Sequence, residues 1–329
     1  MKRKILLTGC AGFIGSNFVN QVTLRKDIAE KNDFFILDAL TYAGNYDHIK
    51  KSVESHPHLK FEKADIRDLP KMQEIFGREK FDAVIHFAAE SHVDRSITNP
   101  NIFVETNVLG TLNLLQESLK LFENNKNFKF LHISTDEVYG SLQLQDPAFT
   151  ENHPISPNSP YSASKASSDL LVRAFFETYQ LPVMITRCSN NYGPLQADEK
   201  FIPVVIKNAL LNQKIPVYGA GMNIRDWIFV NDHNEGVWSV FTKGQPGEVY
   251  NLGGQSELKN IDLAKKILNI LGKPENLIEF VTDRKGHDFR YAMNFSKAKK
   301  ELGWQPQHSF DQALKITVNW YKDHWIKDK

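Results

Sequence analysis

Cysteine is nearly absent from this sequence: Cys10 and Cys188 are the two among 329 residues. Two thiols cannot staple a chain this long, so a reducing, cytoplasmic setting is expected. An excess of charge is missing too. Lys and Arg total 40 against 39 Asp and Glu, a net charge of +1. No global field therefore draws the chain to nucleic acid or a membrane surface, and any anion site must be local. Long apolar runs are lacking, none approaching the ~18 residues of a membrane helix. The start, Met1-Lys2-Arg3-Lys4 followed by Ile5 to Cys10, superficially resembles a lipoprotein leader. Its apolar stretch falls short of the roughly 7–15 residues such a leader needs, and a soluble protein is expected. Internal repeats and low-complexity tracts are absent. No spacing of Cys, His and carboxylates suits a metal, so none is expected; His86, His92 and His132 read as packing or sheet-edge residues.

Aromatics, by contrast, are plentiful: 22 Phe, 10 Tyr and 5 Trp need a core. A chain of this size buries about three quarters of its unfolded surface, enough for one large core or two smaller ones. Runs that are near-continuously apolar, or flanked by turn residues, mark strands at Lys4–Thr8, Phe34–Asp38, Leu59–Lys63, Ala83–Phe87, Phe130–Ser134 and Val183–Arg187. Helical periodicity falls between them, most clearly over Asn101–Leu121 and Tyr161–Tyr179. Such alternation implies an α/β fold with a Rossmann-type, doubly wound parallel sheet. After Arg187 the rhythm changes, with Pro194, Pro203, Pro216 and a Gly219-Ala220-Gly221 turn. Helices are expected at Ile202–Leu211, Asp232–Phe241, Ile261–Leu271 and Phe310–Tyr321, with Val249–Gly253 a candidate to rejoin the main sheet. A smaller C-terminal α/β domain is therefore expected.

The first strand runs into Gly9-Cys10-Ala11-Gly12-Phe13-Ile14-Gly15, three glycines at spacing three before a helix. Such a turn lets backbone approach a pyrophosphate at a helix N-terminus. The motif is looser than G-x-G-x-x-G, but Asp38 ends the next strand 23 residues after Gly15. A carboxylate there accepts from both ribose hydroxyls and repels a 2′-phosphate, so NAD is expected over NADP. Asp65 and Ile66, after the third strand, fall where an adenine edge would lie, although Asp65 could equally cap a helix. Ala88 and Ala89 follow the fourth strand, and small residues there suit a cofactor or helix packing alike. Residues 1–187, with about 228–253, are thus expected to bind NAD, leaving 188–227 and 254–329 for the substrate.

Tyr161 and Lys165 stand four apart, on one face of a helix. Phenol is a poor base at neutral pH. A neighbouring ammonium and a positive nicotinamide would lower its pKa, equipping it to take a hydroxyl proton as hydride leaves the same carbon. Together with Gly9 to Gly15 and Asp38, this resembles the extended short-chain dehydrogenase/reductase family, which acts on nucleotide-activated sugars. The likeness spans essentially the whole chain. Thr135-Asp136-Glu137, after the fifth strand, is similar to the dTDP-glucose 4,6-dehydratase branch. Further matching stretches are Ala88–Ser96, Asn190–Pro194, Asn223–Trp227 and Asp283–Asp288. Cys10, where Gly is common, and Lys285, where Pro is common, depart from the pattern.

The resemblance implies a mechanism. Tyr161, supported by Lys165 and Thr135, takes the O4 proton during C4 oxidation; Glu137 takes the C5 proton; a protonated Asp136 donates to the departing C6 hydroxyl. It also implies Phe13, Ile14, Ser91, Thr106 and Asn191 as cofactor contacts. Substrate contacts so implied are Ser91, Thr135, Asn190, Lys200, Phe201 and Asn260, with Pro216, Val217 and Tyr218 near the base and Asp283, Arg284 and His287 near the diphosphate. Arg225 is the best phosphate ligand on chemical grounds, since guanidinium binds two oxygens at once. Its plain alternative is an ion pair with Asp226. Adjacent Asp and Glu after a strand can also be a solvated turn. Two other activities stay open, a dehydratase or 4-epimerase of another nucleotide sugar such as UDP-glucose and a non-catalytic NAD-binding scaffold. A homodimer is the family's habit, and the helices over Asn101–Leu121 and Tyr161–Tyr179 could supply its interface.

Overall fold

The computed structural model describes residues 2–284 and 286–327, so Lys285 lies outside the described residues. Its strands are β1 Arg3–Thr8, β2 Asn32–Asp38, β3 Leu59–Lys63, β4 Ala83–His86, β5 Lys129–Thr135 and β6 Val183–Cys188, then β7 Asn190–Tyr192, β8 Ile215–Tyr218, β9 Ile224–Phe229, β10 Val249–Leu252, β11 Glu257–Lys259 and β12 Ile278–Val281. Seven of them form one parallel sheet in the order β10-β6-β5-β4-β1-β2-β3. Successive side chains of a strand face opposite sides, so apolar runs fill both. Ile5, Leu7, Ile36 and Ile85 pack in one core layer, while Leu6, Phe35, Leu37 and Val84 pack in the other. The order reverses between β1 and β4, and that crevice, at the carboxyl ends, is where ligands bind in such sheets.

A second unit holds β11-β9-β7 and the pair β12-β8 around Val205, Val217, Trp227, Leu263 and Leu314. Its strands are short, three to six residues, and carry too little periodicity to be read from sequence. Ile228 and Phe229 still pair with β7; the helix Val230–Lys243 then leads back to β10, beside β6 in the main sheet. The later helices fall where expected, the last running on to Lys327.

One expectation needs correction. The helix read over Asn101–Leu121 is interrupted: Pro100–Phe103 and Thr111–Asn124 are α-helical, and Val104–Gly110 between them is a π-helix. Such wide turns cluster at functional sites. The Thr111 hydroxyl donates to the Asn107 carbonyl at 2.6 Å, and at Gly110 a Cβ would sit 2.6 Å from Ile66 Cδ1. Of the two readings of His86 and His132, packing holds, for β4 and β5 are interior strands and both rings are buried.

Candidate active site

A cavity of about 300 Å³ opens along the carboxyl ends of the main sheet. Every expected cofactor contact borders it: Gly9, Gly12, Phe13, Ile14, Gly15, Asp38, Asp65, Ile66, Ala88, Ala89, Ser91, Thr106, Tyr161, Lys165 and Asn191. The three glycines do different work. Gly9 has φ +74°, and a Cβ there would lie 2.4 Å from the Ala88 backbone. At Gly15 a Cβ would lie 2.6 Å from Cys10 Cα, so the helix packs tightly on its own turn. Gly12 meets nothing closer than 3.4 Å and caps the helix Phe13–Gln21 without a side-chain bond. It leaves helix amides turned to the cavity, the arrangement that receives a pyrophosphate.

Asp38 is pre-set. Its Oδ2 accepts from Ala11 N and its Oδ1 from Leu40 N, both at 2.8 Å, leaving each oxygen a further lone pair for a diol. Asp65 is paired with Arg67, Nη2 to Oδ2 at 2.6 Å, and does not cap a helix. That cap is Asp68, which accepts from Lys71 N at 3.0 Å. Ser134 Oγ, Asp136 Oδ2, Asn190 Oδ1, Asn191 Oδ1 and Gln196 Oε1 are buried, border the cavity and have no protein partner. Buried polar atoms without partners are rare, so a polar ligand fits here.

The catalytic candidates sit on two elements. Ser159 and Ser162 form a capping box, and Pro160 opens the helix Pro160–Tyr179, so Tyr161 lies in its first turn at the positive end of its dipole. Lys165 Nζ donates to the Ile133 carbonyl at 2.8 Å. Burial pulls this amine down to about 8, with Asp169 opposing. Asp136 and Glu137 occupy a 3₁₀ turn that continues β5 and is capped by the Thr135 hydroxyl. Burial pushes the Asp136 carboxyl well above its ordinary range, with Glu137 and Asp226 adding. Burial raises Glu137 as well, against Arg284, Arg225 and Lys200. The Tyr161 hydroxyl is pushed well above its ordinary value by burial and by Glu137, with a hydrogen bond to Thr135 opposing.

On the substrate side, Ser91, Thr135, Asn190 and Lys200 border the cavity, and Lys200 Nζ donates to the Ser91 carbonyl at 3.0 Å. Phe201, Pro216, Val217, Tyr218, Arg225, Asn260, Asp283, Arg284 and His287 are not among its lining residues. Val217 is fully buried in the third core, so its side chain cannot meet a ligand, and Phe201 packs against that core. Asn260 opens the helix Asn260–Leu271 and its amide donates to the Asn223 carbonyl. The rest gather in bonded groups. Tyr218 donates to Asp94 at 3.4 Å, Arg284 lies 3.6 Å from the same carboxylate, and His287 pairs with Asp283 at 2.6 Å. Arg225 does not pair with Asp226. Its guanidinium donates to the Ile224, Phe289 and Asp288 carbonyls and stacks on Tyr291 at 4.3 Å. Asp226 instead accepts from Ser189, Gly254 and Ser256.

Sequence reasoning missed the loop Thr41 to Gly44, Arg67, Gln196, Ala197 and Glu199, all of which border the cavity. No motif signals them. It also passed over Asp169, whose spacing of four from Lys165 on one helix was a readable sign.

Fold and site together define a dinucleotide-dependent enzyme of the extended short-chain dehydrogenase/reductase class. The model of the family described as GDP-mannose 4,6 dehydratase matches residues 6–317. An Escherichia coli dTDP-glucose 4,6-dehydratase is 49% identical, over 98% of this chain and 95% of the relative. The same enzyme from Streptomyces venezuelae, solved with NAD bound, superposes with TM-score 0.90 at 45% identity, over 98% of each chain. A Thermotoga maritima UDP-glucose 4-epimerase superposes with TM-score 0.87 at 28% identity, over 98% of this chain and 99% of that one. The chain belongs to the nucleotide-sugar 4,6-dehydratase family.

Proposed function

We infer that the protein is an NAD-dependent hydro-lyase that converts dTDP-glucose to dTDP-4-keto-6-deoxyglucose and water. The observation that carries this reading is the meeting of Asp136 and Glu137 with Tyr161 and Lys165 in one cavity. An epimerase has no leaving group to protonate, so it has no use for a buried carboxylic acid. The glycine turn and the unpartnered polar atoms fit a dinucleotide, with Asp38 on the ribose and Thr106, Asn191 and the 65–66 backbone further along. NAD bound there would supply the hydride acceptor for C4, its reduced form the donor for C6, and a positive charge near Tyr161.

Tyr161 takes the O4 proton; Thr135 hydrogen-bonds its hydroxyl, and the Lys165 ammonium favours the phenolate. The C4 ketone makes the C5 proton acidic, and Glu137, its basicity raised by burial, removes it. Asp136, kept neutral by burial and by Glu137, donates to the leaving C6 hydroxyl. Glu137 returns its proton to C5, and the proton that Tyr161 took from O4 replaces, through water, the one that Asp136 gave to the leaving hydroxyl, so nothing is consumed. Lys200, Asn190, Arg225, Arg284 and His287 hold the nucleotide diphosphate, and Tyr218 lies by the base. The main-sheet unit thus carries the cofactor and the second unit the substrate.

Val104 and Leu109 on the π-helix, and Leu170 and Tyr179 on the helix Pro160–Tyr179, are each about half exposed, and they support a homodimer through these helices. No helix among the described residues is long and apolar enough to cross a membrane. With two buried free thiols, this supports a cytoplasmic location. Mass spectrometry of the purified protein, incubated separately with dTDP-glucose and UDP-glucose without added NAD, tests the activity. Loss of one water from the dTDP sugar alone is expected. Loss from UDP-glucose instead would keep the mechanism and change the substrate, and no loss from either would overturn it.

A further inference from the structure

Lys165 is 3% exposed, and beside it, off the cavity, lies a buried group that the mechanism above does not use. Asp169 stands one helical turn beyond Lys165. Its Oδ2 accepts from Arg187 Nε at 2.9 Å, and its Oδ1 is 3.5 Å from His132 Nε2. The same His132 nitrogen is 3.4 Å from Lys165 Nζ. Arg187 is pinned on its other side by stacking over the Tyr139 ring at 4.7 Å, and Tyr139 is tied to Asn251. His132, Asp169 and Arg187 are 0%, 1% and 4% exposed.

A buried ion pair is weak evidence of stability, because apolar replacements often serve as well. Its position gives a better reason. An ammonium removed from water tends to lose its proton unless an anion is near. Four groups face Lys165 from the elements packed on it: His132 on β5, His86 on β4, Cys188 on β6 and Asp169 on its own helix. Burial holds both histidines neutral, with the Lys165 charge adding, and burial keeps Cys188 a thiol. Asp169, bonded to Arg187, is the one carboxyl group among them. Arg187 orients it and takes part of its charge, so Lys165 keeps its bond to Ile133 and stays turned to the cavity.

We propose that Asp169, fixed by Arg187, is a positioning residue that keeps the buried Lys165 amine protonated for its work beside Tyr161. The kinetic half of this rests on the dehydratase reading; the titration half does not. Protein labelled with ¹³C at lysine Cε gives the test, the Lys165 signal being assigned by its loss in Lys165→Met. In the unsubstituted protein Lys165 is protonated at pH 7; a neutral amine there would overturn the proposal. Asp169→Asn moves the Lys165 titration, and the alkaline limb of kcat, down by about one pH unit or more. KM for the sugar nucleotide stays within about two-fold, and Asp169→Glu restores the profile. Should the single variant leave Arg187 unpaired and unfold the chain, Asp169→Asn with Arg187→Met removes both charges and shows a smaller shift in the same downward direction. A folded variant lacking Asp169 whose Lys165 titrates at the parental pH contradicts the proposal, even if its activity is low.

Discussion

On the cofactor side of the cavity, buried polar atoms such as Asn191 Oδ1 and Ser134 Oγ have no protein partner, and a Cβ at Gly12 would meet nothing closer than 3.4 Å. On the anion side the cations are already engaged: Arg225 with three carbonyls, Arg284 with Asp94, Lys200 with Ser91. One side is built to receive a resident group. The other must trade internal bonds for phosphate oxygens each time substrate arrives. Such an exchange costs affinity and favours release, which suits a substrate that turns over beside a cofactor that stays.

The sharpest way to break this contrast lies where the sides meet. Glu137 feels Arg284 and Arg225 on one side, and Tyr161 feels Glu137 on the other. Glu137→Gln is expected to lower dehydration about 10²–10⁴-fold while still oxidising C4, seen as transient absorbance of reduced cofactor. If it dehydrates at the parental rate, the division of roles is wrong. Next come the glycines. Gly9→Ala meets both positive φ and the Ala88 backbone, and should cost about 2–4 kcal/mol in urea unfolding. Gly12→Ala should leave the apoprotein's stability nearly unchanged yet weaken cofactor retention, measured by the NAD that copurifies. Equal behaviour of the two would deny that Gly9 packs and Gly12 receives.

Asp136 sharpens the comparison through pH. An unfolded Asp ionises near 4, whereas this one keeps its proton well above that because it is buried, with Glu137 and Asp226 adding. The folded state then binds the extra proton, so stability falls as pH rises above about 4. Asp136→Asn should gain about 0.5–2 kcal/mol at pH 7 and little at pH 4, while losing elimination. A loss of stability at both pH values would contradict a neutral acid at this site. The smallest effect belongs to the anion side. Asp94→Asn frees Arg284 and Tyr218 from a partly exposed contact and should lower KM about two- to five-fold, since such pairs are worth ~0.2–1 kcal/mol.

The same contrast marks what the sequence made legible. Strands covered on both faces announce themselves by continuous apolar runs, so β1 to β6 and the sites at their ends could be placed. Gly9, Asp38, Tyr161 and Lys165 carry spacing rules that follow from backbone geometry, and the cavity gathers them as expected. The second unit offers no such rule. Its strands are short, Val217 alternates into a core where Tyr218 alternates out, and two of the carbonyls that Arg225 holds, Asp288 and Phe289, are distant in sequence. The π-helix over Val104–Gly110 hid for another reason. Its departure from α-helical phase over seven residues is too small to show in an apolar pattern.

The central claim is that one cavity oxidises C4, eliminates water and returns the same hydride to C6. Substrate deuterated at C4, converted without added NAD, tests it most directly by NMR of the product. The account predicts one deuterium in the C6 methyl group and none at C4. Deuterium retained at C4, or lost to solvent, would contradict it.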